Sequence, residues 1–200
     1  MGNTEIFEAM ANRYDTSERI KIAKITSKAI CEYIVNGKEK SAIDFGCGTG
    51  LIGMDLLKDF RSMIFMDSSQ NMLEQIKQKI ADCKIRNADT LCFDFERAFR
   101  SDIHADYVFM AQVLLHINDI ELVLSRLHEV LNPDGHLLIV DFNKNEEVIS
   151  DKVHNGFDQE ELSSLMIKIG FKEIKSKTFY KGNKIFMNQD ASLFILDSKK

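Results

Sequence analysis

The stretch Ser41-Ala42-Ile43-Asp44-Phe45-Gly46-Cys47-Gly48-Thr49-Gly50 runs directly into Leu51-Ile52-Gly53-Met54-Asp55-Leu56-Leu57. It reads as a short buried strand, a glycine-rich turn and a helix. Glycines at alternate positions, Gly46, Gly48 and Gly50, let the backbone turn tightly and let a ligand approach the main chain. A helix N-terminus behind them offers N–H groups that have no partner within the helix. Taken alone, the turn reads as a site for a small polar ligand.

The flanking sequence alternates strand and helix patterns. Ser62–Met66, Asp106–Met110 and Leu137–Val140 are nearly continuous apolar runs, the signature of strands buried on both faces. Ala88–Phe93 is a weaker strand. Apolar residues recur at helical spacing over Ile20–Ile34, from the glycine turn to about Phe60, and over Met72–Ile80, Leu122–Leu131 and Leu162–Ile169. Asn36-Gly37 ends the first of these helices, with Gly37 suited to the left-handed position. Asn132-Pro133-Asp134-Gly135 is a turn, and Asp158 with Glu161 is a capping box. Phe171–Tyr180 and Ala191–Leu196 are two further strands, with Lys181-Gly182-Asn183 as the turn signal between them. The pattern predicts an α/β fold with a doubly wound, mostly parallel sheet and an antiparallel edge. Ligands of such sheets bind at the C-terminal strand ends, where strand order reverses. Gly46, Asp67, Asp94, Ala111 and Asp141 fall at such ends.

Two hundred residues predict one domain over 1–200, with a helical cap over 1–37 and the α/β core over 40–197. A formal net charge of −5 argues against a general nucleic-acid binder. Cys31, Cys47, Cys83 and Cys92 form no CxxC pair and no metal spacing, so reduced thiols in a cytoplasmic protein are expected. No apolar run approaches the ~18 residues of a membrane span. Glu5 and Glu8 fall where a signal peptide would need an apolar run.

Two ligands compete for the glycine turn. Gly48-Thr49-Gly50-Leu51-Ile52-Gly53 matches the GxGxxG dinucleotide pattern, with Asp67 as the ribose acid. Against a nicotinamide-dependent oxidoreductase stands Asp44, two residues before the first glycine, whose carboxylate would repel a pyrophosphate. A cationic or zwitterionic ligand would gain from it. The absence of a Lys-Ser/Thr pair after the glycines excludes a P-loop.

Asp44–Gly50 resembles the glycine motif of class I S-adenosylmethionine-dependent methyltransferases. Met66-Asp67-Ser68-Ser69-Gln70-Asn71-Met72-Leu73 resembles the second motif of that family, and Asp94 its third acidic position. Asp106–Val108 through Leu115-His116-Ile117 resembles the fourth strand and its loop. Leu131–Asp141 resembles the turn and fifth strand, with departures at Asp134 and His136. The resemblance spans roughly residues 40–197. It implies a Rossmann-like, seven-stranded sheet in the order 3-2-1-4-5-7-6 with strand 7 antiparallel, and S-adenosylmethionine as cofactor.

The resemblance also implies residue roles. Gly46, Cys47, Gly48 and Gly50 would surround the amino-acid end, with Asp44 favouring its ammonium. Asp67, beside Ser68, would hold the ribose hydroxyls. Asp94 would meet the adenine amino group, with Phe95 beside the base. Ala111 and Gln112 would follow along the cofactor, and Tyr14 would cover its methionine end. His116 is the candidate general base. No metal ligand set is expected. The sequence lacks the Asn/Asp-Pro-Pro-aromatic and Pro-Cys motifs of nucleic-acid methyltransferases. A small-molecule acceptor reached by in-line displacement is therefore expected, in a pocket built from residues 1–20 and 143–156. The remaining alternative is a non-catalytic binding protein that keeps this fold.

Overall fold

Alternate residues of β1 (Ser41–Phe45) are buried on opposite faces: Ile43 and Phe45 in one core, Ala42 in the other. The computed structural model describes residues 4–200, so residues 1–3 of the expected cap lie outside the described residues. The other strands are β2 (Ser62–Asp67), β3 (Ala88–Cys92), β4 (Ala105–Ala111), β5 (Leu131–Phe142), β6 (Lys172–Phe186) and β7 (Gln189–Lys199). They form one seven-stranded sheet in the order β3-β2-β1-β4-β5-β7-β6. Neighbours from β3 through β5 pair in parallel. Strand β7 runs antiparallel to both β5 and β6. This is the expected order.

The helices are α1 (Thr4–Met10), α2 (Ser17–Cys31), α3 (Gly53–Leu56), α4 (Gln70–Asp82), α5 (Ile120–Val130) and α6 (Gln159–Ile169). On one face Ile30, Leu56 and Ile76 of α2, α3 and α4 meet Phe65 and Phe109. On the other, Leu124 and Met166 of α5 and α6 meet Val108 and Ile139. Burial on both faces explains why the central strands are apolar throughout. Thr16, Ser69, Asp119 and Asp158 cap α2, α4, α5 and α6 by accepting backbone N–H groups of the first turn. Strand order reverses between β1 and β4. The loops after these two strands lead in opposite directions and leave a crevice between them.

Four local expectations are corrected. The helix after the glycine turn does not reach Phe60. It is α3 alone, followed by a 3₁₀ turn over Leu57–Asp59. The glycine loop consumes the residues before Gly53, and the chain must then turn so that the Asp59 carbonyl packs on Gly37. A Cβ on Gly37 would lie 2.3 Å from that oxygen, so this glycine is required by close approach. The left-handed residue there is Asn36, with φ 52°. The fifth strand begins at Leu131 and not at Leu137, with the expected turn Asn132–Gly135 inside its irregular start and Asp134 at φ 60°. That is the left-handed second central residue of a type II turn.

The fourth correction concerns the last hairpin. Lys181-Gly182-Asn183 is an irregular part of β6, and Phe186 pairs with Gln189. The turn is Met187-Asn188, with φ 48° and 64°. Two successive left-handed residues mark a two-residue type I′ turn, which matches strand twist. Methionine is costly there, and the signal at Lys181–Asn183 was the louder one. Met187→Gly should raise stability by about 0.5 kcal/mol, from relief of a left-handed side chain less the entropy of glycine. Urea unfolding checks this; a loss of stability would show that Met187 carries no such strain.

Candidate functional site

At the end of β1, Asp44 is only 4% exposed. One carboxylate oxygen accepts the Gly53 N–H at 3.1 Å. Burial pushes the Asp44 carboxyl up to about 8, opposed by the Gly53 N–H and reinforced by the Asp67 charge. A Cβ on Gly53 would lie 2.4 Å from the same carboxylate oxygen, so only glycine lets the acid reach this N–H. The N–H groups of Gly46 and Cys47 both donate to the Met66 carbonyl, at 2.8 and 3.0 Å, which ties the glycine loop to β2. Asp67, at the end of β2 and 7% exposed, accepts Gly48 N–H and Ser69 N–H, each at 2.8 Å. Burial raises its carboxyl, and these N–H groups oppose the rise.

The loop after β4 packs against the glycine turn. A Cβ on Gly46 would lie 2.5 Å from the Val113 side chain. Gln112 is left-handed, with φ 56°, and donates its N–H to the Val140 carbonyl at 2.7 Å. Asp141 is fully buried and accepts Leu115 N–H and Phe142 N–H, at 3.2 and 2.8 Å. Burial pushes its carboxyl up to about 7, against these N–H groups. Asp141 is thus a brace that holds the turn carrying His116. Burial, with the nearby His154, lowers the His116 imidazole to about 4, so it is neutral at ordinary pH.

The N-terminal segment closes over this crevice. The Glu8 carboxylate accepts Gln70 N–H at 2.6 Å and Asn71 N–H at 3.2 Å, at the N-terminus of α4. The Thr4 and Ser68 hydroxyls lie 2.9 Å apart. Thr49 donates its hydroxyl to Asp15, and Lys79 bridges Asp15 and the Thr49 carbonyl at 3.0 and 2.8 Å. Phe7 stands edge-on to His116, with centroids 5.0 Å apart. The Arg19 guanidinium lies 4.2 Å over the Tyr14 ring.

Two narrow clefts and one larger cavity meet here. Asp44, Gly46, Cys47 and Gly48 line the first cleft, beneath Arg19. Asp67, Ser68, Gly46, Gly48, Phe7 and His116 line the second. The cavity, of about 560 Å³, lies between the N-terminal segment, the β4 loop and β6. Tyr14 and Gln112 line all three, and Ala111 lines both clefts. Gly50, Asp94 and Phe95 line neither cleft. Gly50 turns the backbone beside Ile76. Asp94 accepts Glu96 N–H at 2.9 Å and faces Arg97 at 3.5 Å. Phe95 was expected beside a base. Its ring is instead fully buried among Phe45, Phe93 and Phe99, with no face to offer. Sequence reading did not find Phe7, Glu8, Arg19 and Gly53. Only Gly53 carried a signal, as the last glycine of the GxGxxG pattern; the others act across the fold.

A family model described as a methyltransferase domain matches residues 43–137, the interval from within β1 to the middle of β5. The matched interval is that of a methyltransferase domain, and its motifs resemble those of the class I S-adenosylmethionine-dependent methyltransferases. An uncharacterized methyltransferase of Schizosaccharomyces pombe is 27% identical over 134 residues, which cover 62% of this chain and 45% of that protein. The chain thus spans less than half of that relative. A Thermotoga maritima structure, titled a possible histamine N-methyltransferase, superposes with a TM-score of 0.74 at 20% identity, over 98% of this chain and 99% of that one. Haemonchus contortus phosphoethanolamine N-methyltransferase 2, solved with S-adenosyl-L-methionine, gives 0.71 at 17% identity, over 97% and 60%. At these identities the likeness establishes the fold.

The N-terminal segment lines the clefts through Phe7 and Tyr14 and is tied down by Glu8 and Asp15. Glu8→Ala should speed amide exchange in residues 4–13 about tenfold, the worth of one helix-capping carboxylate, and leave exchange in β1 and β4 unchanged. Exchange mass spectrometry checks this; unchanged rates would mean Glu8 holds nothing down.

Proposed function

We propose that the chain binds S-adenosylmethionine across the β1–β4 crevice and transfers its methyl group to a small organic acceptor in the adjoining cavity. The observation that carries this reading is the pair of buried acids on neighbouring strand ends, Asp44 and Asp67, flanking a glycine loop. The donor set fits that cofactor. Asp44 suits an ammonium, and the Arg19 guanidinium, which lines the same cleft, suits a carboxylate. Asp67 suits two adjacent hydroxyls. A Cβ on Gly48 would touch the Tyr14 ring at 3.7 Å, so Tyr14 covers the glycine loop at this point. No helix of the described residues is long and apolar enough to cross a membrane. The four free cysteines fit a reducing cytoplasm, and the net negative charge disfavours nucleic acid as acceptor.

When bound, S-adenosylmethionine supplies a methyl group on a sulfonium that already activates it. The chain's own task is then to align the acceptor and exclude water. Tyr14, Gln112 and His116, at the junction of clefts and cavity, would form the walls around the reacting atoms. A neutral His116 held near 4 is a weak base at pH 7. We therefore assign it to positioning, by packing and hydrogen bonding, ahead of proton abstraction.

The nicotinamide alternative has an electrostatic problem. A pyrophosphate would need the N–H groups at the start of α3. There the Gly53 N–H is already given to the Asp44 carboxylate, and α3 is only four residues long. Calorimetry should find S-adenosylhomocysteine binding and no binding of NAD. Asp67→Asn should weaken S-adenosylhomocysteine about tenfold or more, through loss of a charged acceptor. Binding of NAD alone would overturn the methyltransferase reading; unchanged affinity in the variant would remove Asp67 from the ribose.

Asp44 adds a proton signature. Below about 8 its carboxyl is protonated in the free protein. An arriving ammonium favours the ionised form, so binding near pH 7 should release up to about one proton. Titrations in buffers of different ionisation heat measure this, and Asp44→Asn should abolish the release. Absence of release in the parent chain would separate Asp44 from the ammonium.

A further inference from the structure

The cavity beside the clefts was expected from residues 1–20 and 143–156. It has a third wall, because the irregular stretch of β6 also lines it. Lys184 is left-handed there, with φ 55°, and its N–H donates to the Asp190 carboxylate at 2.8 Å. That bond fixes the irregularity that brings residues 184–187 to the cavity.

The floor is apolar and aromatic. Phe142 and Phe186 stack with centroids 4.2 Å apart and planes 5° apart. Ile6, 40% exposed, and Met187, 58% exposed, line the same cavity. Polar lining residues are biased in sign. Among the described residues, three cations, Arg19, Lys152 and Lys184, line it from α2, from the loop after β5 and from β6, against one carboxylate, Glu18. The bias opposes the net charge of the chain, which is −5. It also has a direction. Lys152 and Lys184 line the cavity and neither cleft, whereas His116 and Gln112 line the cavity and a cleft. Arg19 lines the first cleft as well, so the end marked only by cations is that of Lys152 and Lys184, apart from the reactive end.

We propose that the methyl acceptor is an amphipathic organic anion. Its apolar or aromatic body lies on the Phe142–Phe186 floor, and its carboxylate or similar acidic group is held by Lys152 and Lys184. The anion is a handle, and the atom that receives the methyl lies at the other end, beside His116 and Gln112. This inference rests on the methyltransferase reading above. A cationic acceptor, such as a protonated amine, would meet three like charges in a partly desolvated cavity and be rejected.

The test uses the full chain saturated with S-adenosylhomocysteine and two probes of one shape, 2-naphthoate and 2-(aminomethyl)naphthalene, titrated calorimetrically. Naphthoate should bind about tenfold or more tightly than the amine, and high salt should narrow the gap. The double variant Lys152→Gln with Lys184→Gln should lose about tenfold in naphthoate affinity, the scale of two partly screened ion pairs. Both lysines are exposed, and the affinity for S-adenosylhomocysteine serves as the measure of an intact fold. Equal or tighter binding of the amine, no naphthoate binding, or an unaffected double variant would each overturn the acceptor class while cofactor binding stands. Failure of S-adenosylhomocysteine to bind the parent chain would instead overturn the reading on which the class rests.

Discussion

A carboxylate buried at the end of a parallel strand must find N–H groups or give up its charge, and Asp44 faces both demands. It has one backbone donor, Gly53, and a carboxyl pushed up to about 8. Desolvation of an acid that is incompletely paired is among the more expensive features a core can hold. Its presence constrains everything nearby. Residue 53 must be glycine, because a Cβ would strike the carboxylate. Helix α3 must start at that glycine, which shortens it. The loop between must place positive-φ residues at Gly46, Gly48 and Gly50. A buried, poorly satisfied acid lining a crevice is the expected signature of a ligand that completes it.

The second constraint is mutual packing of loops from the two sides of the strand reversal. Val113 fills the space over Gly46, and Asp141 holds Leu115 from the end of β5. The β4 loop therefore cannot move without the glycine loop and the fifth strand. Onto this rigid base the N-terminal segment is attached by polar contacts with Ser68, Thr49 and the start of α4. None of the α1 residues is fully buried. A rigid cradle and a polar, lightly packed cover suit a site that must admit a ligand and then exclude water. The fold on its own does not name the acceptor; the side chains around the cavity bear that information.

How much of this was legible follows from range. The central strands were legible because burial on both faces forces apolar runs such as Leu137–Val140, whatever surrounds them. The glycine loop and Asp44 and Asp67 were legible because turn chemistry and strand ends are local. Helix starts at Ser69 and Asp158 were legible for the same reason. Misreadings arose where a distant contact outweighed a local preference. Gly37 is glycine to admit the Asp59 carbonyl, not to turn left-handed. The final hairpin turns at Met187-Asn188 despite the better turn residues at Lys181–Asn183, because pairing with β7 sets the register. Phe95 follows an acid at a strand end, yet packing among Phe45, Phe93 and Phe99 draws it into the core.

The sequence by itself determined the doubly wound sheet, the position of the crevice and the two acids that face it. These depend on hydrophobic period, glycine placement and strand ends, each encoded within about ten residues. Only the tertiary structure decided which side chains complete the site. Glu8 meets the start of α4 across 62 residues, and Arg19, Lys152 and Lys184 meet around one cavity from three separate elements. No local pattern marks such partners, because a charge on a helix turn, a loop or a strand edge reads in sequence as a solvated surface. Their convergence is a property of the sheet order that brings β6, the β5 loop and α2 to one end of the molecule.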